Sequence, residues 1–406
     1  MAAYARIHGF HPPSLLPTAV RPPVPGGAPL TSPLMERALA GLRSHPTLRP
    51  GDRVLAAMSG GVDSSVMAAL LHRAGCEVIG LSMQLFDKKS IVSSDGKCCT
   101  LDDFQDARRV AFELGFPHYV MDFESRFRET VIEGFIQGYL DGETPSPCIR
   151  CNQHLKFAAL IGRAEELGAP FVATGHYATL TRDGAGWHLR KALDPAKDQS
   201  YFLFHHTQQT LARTLFPLAE LTKPEVRALG AEMGLHLAEK PESQEICFVA
   251  QDRYDTFLEA EGRDPGAGDG DIRHVDGRLL GRRRGYWRYT VGQRRGLGVA
   301  FAEPLYVIRV DRDSNTVWAG GEADLLGTGL VARELSWVGV PPAGPLACGA
   351  KIRSRSPEAE ALVIPLPDGR AKVAFAEPQR ALAPGQAVVF YREDEVLGGG
   401  WIDSRP

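Results

Sequence analysis

Apolar and polar positions alternate along residues 53–174 as repeated strand–helix units. Short apolar runs are followed by longer segments whose apolar residues are spaced as on one face of a helix. The pattern predicts strands at 53–58, 77–83, 118–123 and 171–174, helices at 64–74, 101–114, 127–140 and 152–167, and a Pro- and Gly-rich loop at 141–151. Such units form a parallel sheet with helices on both faces. We therefore expect residues 59–65, Met83 and Gly175 on one rim, at the carboxyl ends of the strands.

The pattern changes further along the chain. Residues 178–192 are predicted to form a hairpin at Asp183-Gly184, and a helix is predicted from Thr222 to Gly234. Beyond about residue 250 helical periodicity fades, and short alternating segments appear at 306–310, 371–375 and 387–390. The predicted organisation is an α/β catalytic domain at 47–250, a small β-rich linker domain at 251–328 and a C-terminal β-barrel or sandwich at 329–406.

Residues 1–46 are expected to form an unstructured extension. Six prolines lie between Pro12 and Pro25, and no Asp or Glu precedes Glu36. The segment lacks the amphipathic arginine spacing and the serine content of an organellar presequence. The hypothesis is a disordered tail, or a start codon placed too early with Met35 as the true start.

The composition narrows the classes of function that the protein could have. The 406 residues carry a formal net charge of −3, so any RNA-binding surface must be a local patch. No apolar run approaches the roughly 18 to 20 residues of a membrane helix. Seven cysteines in so long a chain indicate a reduced cytoplasmic protein with a few chemically used thiols.

A glycine-rich run, Ser59-Gly60-Gly61-Val62-Asp63-Ser64-Ser65, separates the first predicted strand from the first predicted helix. Two glycines let an anion approach the backbone, where free N–H groups and the helix dipole attract it. No lysine follows them, so the run differs from the G-x-x-x-x-G-K-[ST] loop. It resembles the PP-loop of ATP pyrophosphatases, which split ATP into AMP and pyrophosphate. Asp63 is negative beside this anion site, which suggests compensation by Mg²⁺, or else a helix-start carboxylate favoured by the dipole.

Cys148, Cys151 and Cys247 admit three interpretations. Cys151 and Cys247 could form a nucleophile pair in which a persulfide carries sulfur. The three cysteines could instead hold an iron–sulfur cluster with one open iron. Cys148, Cys151 and His154 could also bind zinc, with Cys98 or Cys99 as a fourth ligand.

Several motifs now point to one family. In order along the chain they are SGGVDS, ATGHYA (173–178), KDQSYFL (197–203), SQEICF (243–248), GQRRGLG (292–298), PGQAVVFY and LGGGWI. Over about residues 51–405 the chain resembles the tRNA-specific 2-thiouridylases. The resemblance implies adenylation of O2 of the wobble uridine in the tRNA anticodon loop, followed by displacement of AMP by a persulfide sulfur. It also implies the lysine, glutamate and glutamine tRNAs as substrates, and a cysteine desulfurase or sulfur-relay protein as upstream sulfur donor.

The resemblance also implies roles for individual residues. It makes Cys247 the persulfide carrier and Cys151 the second catalytic cysteine, ending as a Cys151–Cys247 disulfide. ATP is expected at Ala57, Met58, Ser59, Gly60, Gly61, Val62, Asp63 and Ser64, with Met83 and Gly175 around adenosine. The target base is expected against Ser146, Pro147 and Cys148, and further tRNA contacts at His176, Lys197, Asp198, Gln199, Arg353, Ser354 and Gln386.

One position departs from the better-known family pattern. That pattern has aspartate where this chain has Cys148, and the aspartate is a candidate general base there. The replacement creates CxxC plus a remote cysteine, as in the cluster-dependent tRNA thiolases, where a 4Fe-4S cluster would present sulfide to the activated carbon. A cluster would consume the thiols that a persulfide route needs, so both hypotheses stay open at this point.

An arginine-rich segment gives an independent hint of RNA binding. Residues 273–295 contain eight arginines and one acid, Asp276, interleaved with Tyr286, Trp287 and Tyr289. The segment suits phosphate contact and base stacking, although a solvated arginine face would have the same composition. The rival functions are another PP-loop ligase that adenylates a small carboxylate, and an ATP-sensing RNA-binding protein with redox-active thiols.

Overall fold

The computed structural model describes residues 32–85, 101–240, 246–249, 253–263 and 268–405. Its helices are α1 (Pro33–Arg43), α2 (Val62–Arg73), α3 (Leu101–Leu114), α4 (Glu124–Phe127), α5 (Glu133–Leu140), α6 (Pro147–Cys151), α7 (Ala158–Glu166), α8 (Gln208–Leu211), α9 (Lys223–Glu232) and α10 (Tyr254–Ala260). π-Helical turns at Arg128–Ile132 and Asn152–Phe157 join α4 to α5 and α6 to α7. Among these residues, no helix is both long and apolar enough to cross a bilayer.

The strands divide among three sheets. In chain order they are β1 (Arg53–Ala57), β2 (Glu77–Gln84), β3 (His118–Asp122), β4 (Phe171–Ala173), β5 (Thr179–Asp183), β6 (Gly186–Arg190), β7 (Thr214–Leu215), β8 (Asp269–His274), β9 (Leu279–Arg284), β10 (Tyr306–Asp311), β11 (Thr316–Gly320), β12 (Leu326–Trp337), β13 (Leu346–Lys351), β14 (Ala359–Pro365), β15 (Ala371–Arg380), β16 (Ala387–Arg392) and β17 (Glu395–Ser404).

The first sheet is parallel and has the order β3-β2-β1-β4-β7. Its central strands are buried on both faces because α1, α2, α3 and α9 pack on one side and α7 on the other. The strand order changes direction at β1, and ligands of such sheets bind at this point. The predicted α/β fold is confirmed, and the carboxyl ends of β1, β2 and β4 lie on one rim as expected.

Helix α1 corrects the prediction of an unstructured extension over residues 32–46. The Ser32 hydroxyl accepts the Met35 N–H at 3.0 Å, and Pro33 occupies the first turn, where proline favours helix. Met35, Ala38, Leu39 and Leu42 recur at helical spacing and are buried against α2 and α9. This short amphipathic pattern was obscured by the proline-rich sequence before it. Residues 1–31 lie outside the described part of the chain.

The remaining strands form the two predicted β-rich domains. A four-stranded sheet has the order β10-β11-β8-β9 and is preceded by α10, which the fading periodicity did not predict. The C-terminal strands follow the order β12-β15-β14-β13-β16-β17, and pairing of β12 with β17 closes them into a barrel. The predicted hairpin β5–β6 is present, and it joins the barrel sheet through the Arg190–Glu395 pairing.

Two apolar clusters hold the domains together. One joins helix 124–140 to the middle domain through Phe127, Phe135 and Trp287. The other joins α6 and the 200–204 segment to the barrel through Ile149, Tyr201 and others. The segment that carries Cys148 and Cys151 therefore lies where the first domain meets both later ones.

Candidate active site

The glycine-rich loop is held in shape by its own hydrogen bonds. Residues 58–61 follow β1, and α2 begins at Val62. The Ser64 hydroxyl accepts the Ser59 N–H at 3.1 Å and donates to the Gly61 carbonyl, also at 3.1 Å. Gly60 has φ +73°, and a Cβ there would overlap the Asp103 carbonyl oxygen and lie 2.6 Å from the Asp103 Cα. At Gly61 a Cβ would meet only Ser59 Oγ, at 3.7 Å. Gly60 is therefore needed for packing against α3, while Gly61 faces open space.

Asp63 in the first turn of α2 has two donors. Lys223 Nζ lies 2.6 Å from Asp63 Oδ1, and the Tyr177 hydroxyl donates to the same oxygen at 2.8 Å. A Cβ on Gly175 would lie 3.1 Å from the Asp63 carbonyl carbon, so this glycine permits β4 to end against the loop. Lys223 thus supplies a positive charge beside Asp63, which also stands at the start of α2, while Mg²⁺ at this carboxylate stays a prediction. The sequence marks Lys223 only as part of a helix start.

A second lysine fixes the other side of the loop. Lys240 Nζ donates to the Gly60 carbonyl at 3.0 Å and pairs with Asp103 at 2.7 Å and Asp106 at 2.6 Å. Burial opposes the charge on Lys240, but its hydrogen bonds with both aspartates outweigh burial and raise its pKa. This contact was not predicted either, since no local motif marks Lys240.

Cys148 and Cys151 lie in a helix, and the prediction of a loop over 141–151 is wrong for its last five residues. Helix α6 begins at Pro147, and it continues through the π-helical turn into α7. The Ser146-Pro147 pair was the available signal, because proline favours the first turn of a helix. Cys148 is exposed at the start of α6, whereas Cys151 is buried one turn later.

Cys151 and Cys247 belong to the same apolar cluster although 96 positions separate them in the sequence. Cys151 is a buried member of the cluster, and Cys247 and Ile246 are partly buried against it. Met83, at the end of β2, packs against the same cluster. The rim of the sheet where ATP is expected and the two cysteines therefore border the same apolar cluster.

The proposed metal ligands do not form a set in this structure. Across the described ranges, no three or more His, Cys, Asp or Glu side chains are grouped so that they could hold a metal ion. Neither Cys148, Cys151 and Cys247 nor Cys148, Cys151 and His154 meets this condition. Cys98 and Cys99 lie outside the described residues.

The expected tRNA-contact residues connect segments around α6. Gln386 Nε2 donates to the Thr144 carbonyl at 2.7 Å and so ties the loop before Ser146 to the barrel. Arg353 is half-buried and donates to the carbonyls of Val291 and Ala381, both at 3.3 Å, and burial lowers its pKa. Ser354, next to it, is half-exposed. Gln386 and Arg353 thus bond the barrel to the first and the middle domain, respectively.

The other residues expected to contact tRNA are His176, which follows β4, and residues 197–199. His176 is buried, and Nδ1 lies 2.8 Å from the Thr174 hydroxyl, while burial holds its pKa well below the usual value. Lys197 is half-exposed in a turn. Asp198 accepts the Ala192 and Ser200 N–H groups, at 3.1 and 3.2 Å. Gln199 Oε1 accepts the Tyr177 N–H at 2.9 Å, which links this segment to the Asp63 partner.

The arginine-rich segment is only partly available for RNA. Tyr286, Trp287 and Tyr289 are buried in the cluster with helix 124–140, so the expected stacking role for them is wrong. Most of the arginines contact acids or carbonyls, as Arg288 does with Asp255 and Glu259. Arg294 and Arg295 are exposed. Of the predicted RNA contacts of this segment, phosphate binding by Arg294 and Arg295 therefore stays a prediction.

Comparisons with known proteins identify the class of each domain. Family models match a tRNA methyl transferase HUP domain at residues 52–251, a tRNA methyl transferase PRC-barrel domain at 255–321 and an aminomethyltransferase β-barrel domain at 327–402. The protein is thus a HUP-domain nucleotide-binding protein with two β-rich domains.

Close relatives give the family. A protein from Geobacter metallireducens named tRNA-specific 2-thiouridylase MnmA is 52% identical, covering 87% of this chain and 97% of its own. Proteins of that name from Geotalea uraniireducens (51% identical; 86% and 95% covered) and Caulobacter vibrioides (47%; 89% and 97%) also match. The chain belongs to the tRNA-specific 2-thiouridylase MnmA family.

A solved structure also matches weakly. The U34-tRNA thiolase NcsA from Methanococcus maripaludis with its [4Fe-4S] cluster has a TM-score of 0.36 and 17% identity, covering 57% of this chain and 74% of that one. A similarity of this size says nothing about a cluster in the present chain.

Proposed function

We propose that this protein catalyses ATP-dependent 2-thiolation of the wobble uridine of tRNA, producing 2-thiouridine, AMP and pyrophosphate. The observation that carries the proposal is the shared apolar cluster of Cys151, Cys247 and Met83, next to a preformed anion-binding loop. The residue expected beside adenosine and the two cysteines expected to carry sulfur thus border the same cluster. Membership of the MnmA family supports the same activity.

Adenylation is the first step because O2 of uracil is a poor leaving group. O2 attacks the α-phosphorus of ATP, pyrophosphate departs, and the uridine then carries AMP on O2. The backbone amides at 60–62 and the dipole of α2 stabilise the negative charge on the departing pyrophosphate. We assign Ala57–Ser64 to ATP, with Met83 and Gly175 beside adenosine. Mg²⁺ would be bound together with the ATP phosphates, because it rarely occupies a cage made by protein alone.

Sulfur transfer is the second step. Cys247 carries a persulfide, and the Cys151 thiolate attacks the Cys247 sulfur. A Cys151–Cys247 disulfide forms, and hydrosulfide leaves. Hydrosulfide adds to C2 of the activated uridine and expels AMP. A thiol reductant then regenerates both cysteines, and an upstream sulfur donor such as a cysteine desulfurase reloads Cys247. The alternative, transfer of the outer sulfur to Cys151 before attack, gives the same products.

A 4Fe-4S cluster is not part of this mechanism. Cys148, Cys151 and Cys247 do not form a ligand set among the described residues, so no step is derived through a cluster. Cys148 is instead assigned with Ser146 and Pro147 to the target base, at the exposed start of α6. The wobble base must leave the anticodon stack to reach this point, and single-stranded loops permit this at modest cost.

The tRNA would contact the surface formed by α6, residues 197–199 and the barrel. We assign His176, Lys197, Asp198, Gln199, Arg353, Ser354 and Gln386 to this contact, directly or by shaping it. The proposed substrates are the lysine, glutamate and glutamine tRNAs, and the proposed location is the cytoplasm.

Reconstitution tests the proposal. Purified protein, ATP, a thiol reductant, a cysteine desulfurase with cysteine as the persulfide donor, and unmodified lysine tRNA are incubated, and the nucleosides are analysed by mass spectrometry. We expect 2-thiouridine only with ATP, and tRNA-dependent exchange of pyrophosphate into ATP. Amide formation on a small carboxylate without tRNA would instead indicate a PP-loop ligase. Failure of every tRNA tested to yield AMP would favour an RNA-binding sensor.

A further inference from the structure

Lys223 lies at a fixed place beside the nucleotide loop. It is the first residue of α9, where Thr222 and Glu225 form a capping box, and its own N–H donates to Asp194 Oδ2 at 3.0 Å. Only 7% of its surface is exposed. The ammonium lies 2.6 Å from Asp63 Oδ1 and 6.0 Å from the centre of the Tyr177 ring. Its backbone and its side chain are thus both held in place.

A buried lysine needs a reason, because removing an ammonium and a carboxylate from water is costly even when they pair. The position of the pair suggests the reason. Asp63 stands in the first turn of α2, beside the amides that are assigned to the phosphates. An uncompensated carboxylate there would repel ATP. The loop sequence contains no lysine of its own, whereas the loop of P-loop enzymes carries one inside the motif.

We propose that Lys223 is a positioning residue of the ATP site, which neutralises and orients Asp63 so that the loop accepts a polyanion. A residue 160 positions away would then supply the charge that the glycine loop lacks. The inference rests on the proposed function, since it assumes that ATP binds at residues 57–64. Tyr177 supports Lys223, because its hydroxyl donates to the same Asp63 oxygen at 2.8 Å.

The test compares five variants of the full-length chain by calorimetric titration with ATP, one of them Asp63→Asn as the reference for a double variant. Lys223→Met should raise the ATP Kd on the order of tenfold or more, because it leaves one member of a desolvated charge pair. Lys223→Arg keeps the charge and should retain most of the affinity. Lys191→Met is the matched control, because Lys191 also forms an ion pair, with Glu358, but on the barrel side. Its ATP Kd should stay at the wild-type value.

The double variant, Asp63→Asn combined with Lys223→Met, separates positioning from mere stability. If Lys223 acts through Asp63, this variant should bind ATP about as well as Asp63→Asn alone. The proposal is overturned if Lys223→Met binds ATP like the wild type, or if the lysine substitution still weakens binding tenfold in the Asp63→Asn background. A wild-type protein that neither binds ATP nor thiolates tRNA would contradict the proposed function instead, so the two failures are distinguishable.

Discussion

The nucleotide side and the sulfur side of this site are built in different ways. The nucleotide loop belongs to one domain, and separate hydrogen bonds from Ser64, Lys223 and Lys240 hold it. The cysteines come from two separate segments, α6 and the stretch before α10, and they meet in an apolar cluster shared with the middle domain. The nucleotide side is therefore preformed by the first domain, whereas the sulfur side depends on how the domains pack. Mutations should separate the two half-reactions.

The largest expected effect separates sulfur transfer from adenylation. Cys247→Ser removes the atom that carries sulfur, so thiolation should fall about 1000-fold or more, as when a nucleophile is deleted. Pyrophosphate exchange with tRNA should continue, because the loop is untouched. Cys348→Ser is the control, since Cys348 lies in the barrel, where burial raises its pKa to about 11. Loss of exchange in Cys247→Ser would show that the two sides are not independent.

The next effect is on the nucleotide side alone. Gly61→Ala should weaken ATP binding on the order of 100-fold, because the methyl group would take the space where phosphate meets the backbone amides. Its melting temperature should stay near that of the wild type, since only Ser59 Oγ lies near the added carbon, at 3.7 Å. Gly60→Ala should lower both affinity and melting temperature, because its Cβ collides with the Asp103 backbone. Equal stability of the two variants would contradict this assignment.

The contrast between the two sides also explains which features of the site could be predicted from the sequence and which could not. The loop at 59–65 is contiguous, so its glycines and the flanking apolar pattern predicted strand, turn and helix correctly. Lys223 could not be recognised as a loop residue, because only the folded chain brings α9 to Asp63. Trp287 was misjudged for a similar reason: arginines beside aromatic residues look like an RNA surface locally, but packing against helix 124–140 buries the rings. Pro147, in contrast, carried a local helix signal that the nearby prolines and glycines obscured.

The third prediction concerns the binding of tRNA by the exposed arginines of the 273–295 segment. Arg294→Ala and Arg295→Ala should each weaken tRNA binding and lower the slope of log Kd against log salt concentration by about 1, if each contacts one phosphate. Arg278→Ala is the control, because Arg278 is also exposed but pairs with Asp276 at 2.9 Å. ATP affinity should not change in any of the three. A salt slope unchanged in Arg294→Ala and Arg295→Ala would remove the segment from the RNA surface.

Acid should destabilise the protein through three histidines whose imidazole rings pack around Phe157. Burial lowers the pKa of His206 to about 3, and it also lowers the pKa values of His176 and His205. All three pack around Phe157, in the π-helical turn after Cys151. The unfolded chain takes up these protons below about pH 6.5, and the folded protein does not, so stability should fall as pH drops below that value.

The measurement is melting temperature between pH 7.5 and pH 5. His206→Gln should reduce the loss on acidification. His188→Gln should increase it, because hydrogen bonds with Glu395 and Asp183 raise the pKa of His188, which therefore stabilises the fold at low pH. If both variants shifted the profile in the same direction, the assignment of these pKa values would be wrong.

The smallest expected effect decides between the persulfide and the cluster. Cys148 is exposed at the start of α6 and shares no ligand set with Cys151 and Cys247 among the described residues. Cys148→Ala should therefore still thiolate tRNA, with any loss appearing in KM for tRNA, because the substitution removes one contact with the target base and no sulfur-carrying atom. Iron and acid-labile sulfide, measured after anaerobic purification, should be absent from both proteins. Stoichiometric iron in the wild type, lost together with activity in Cys148→Ala, would mean that the cysteines rearrange around a cluster and that the sulfur side takes its active shape only with that cofactor.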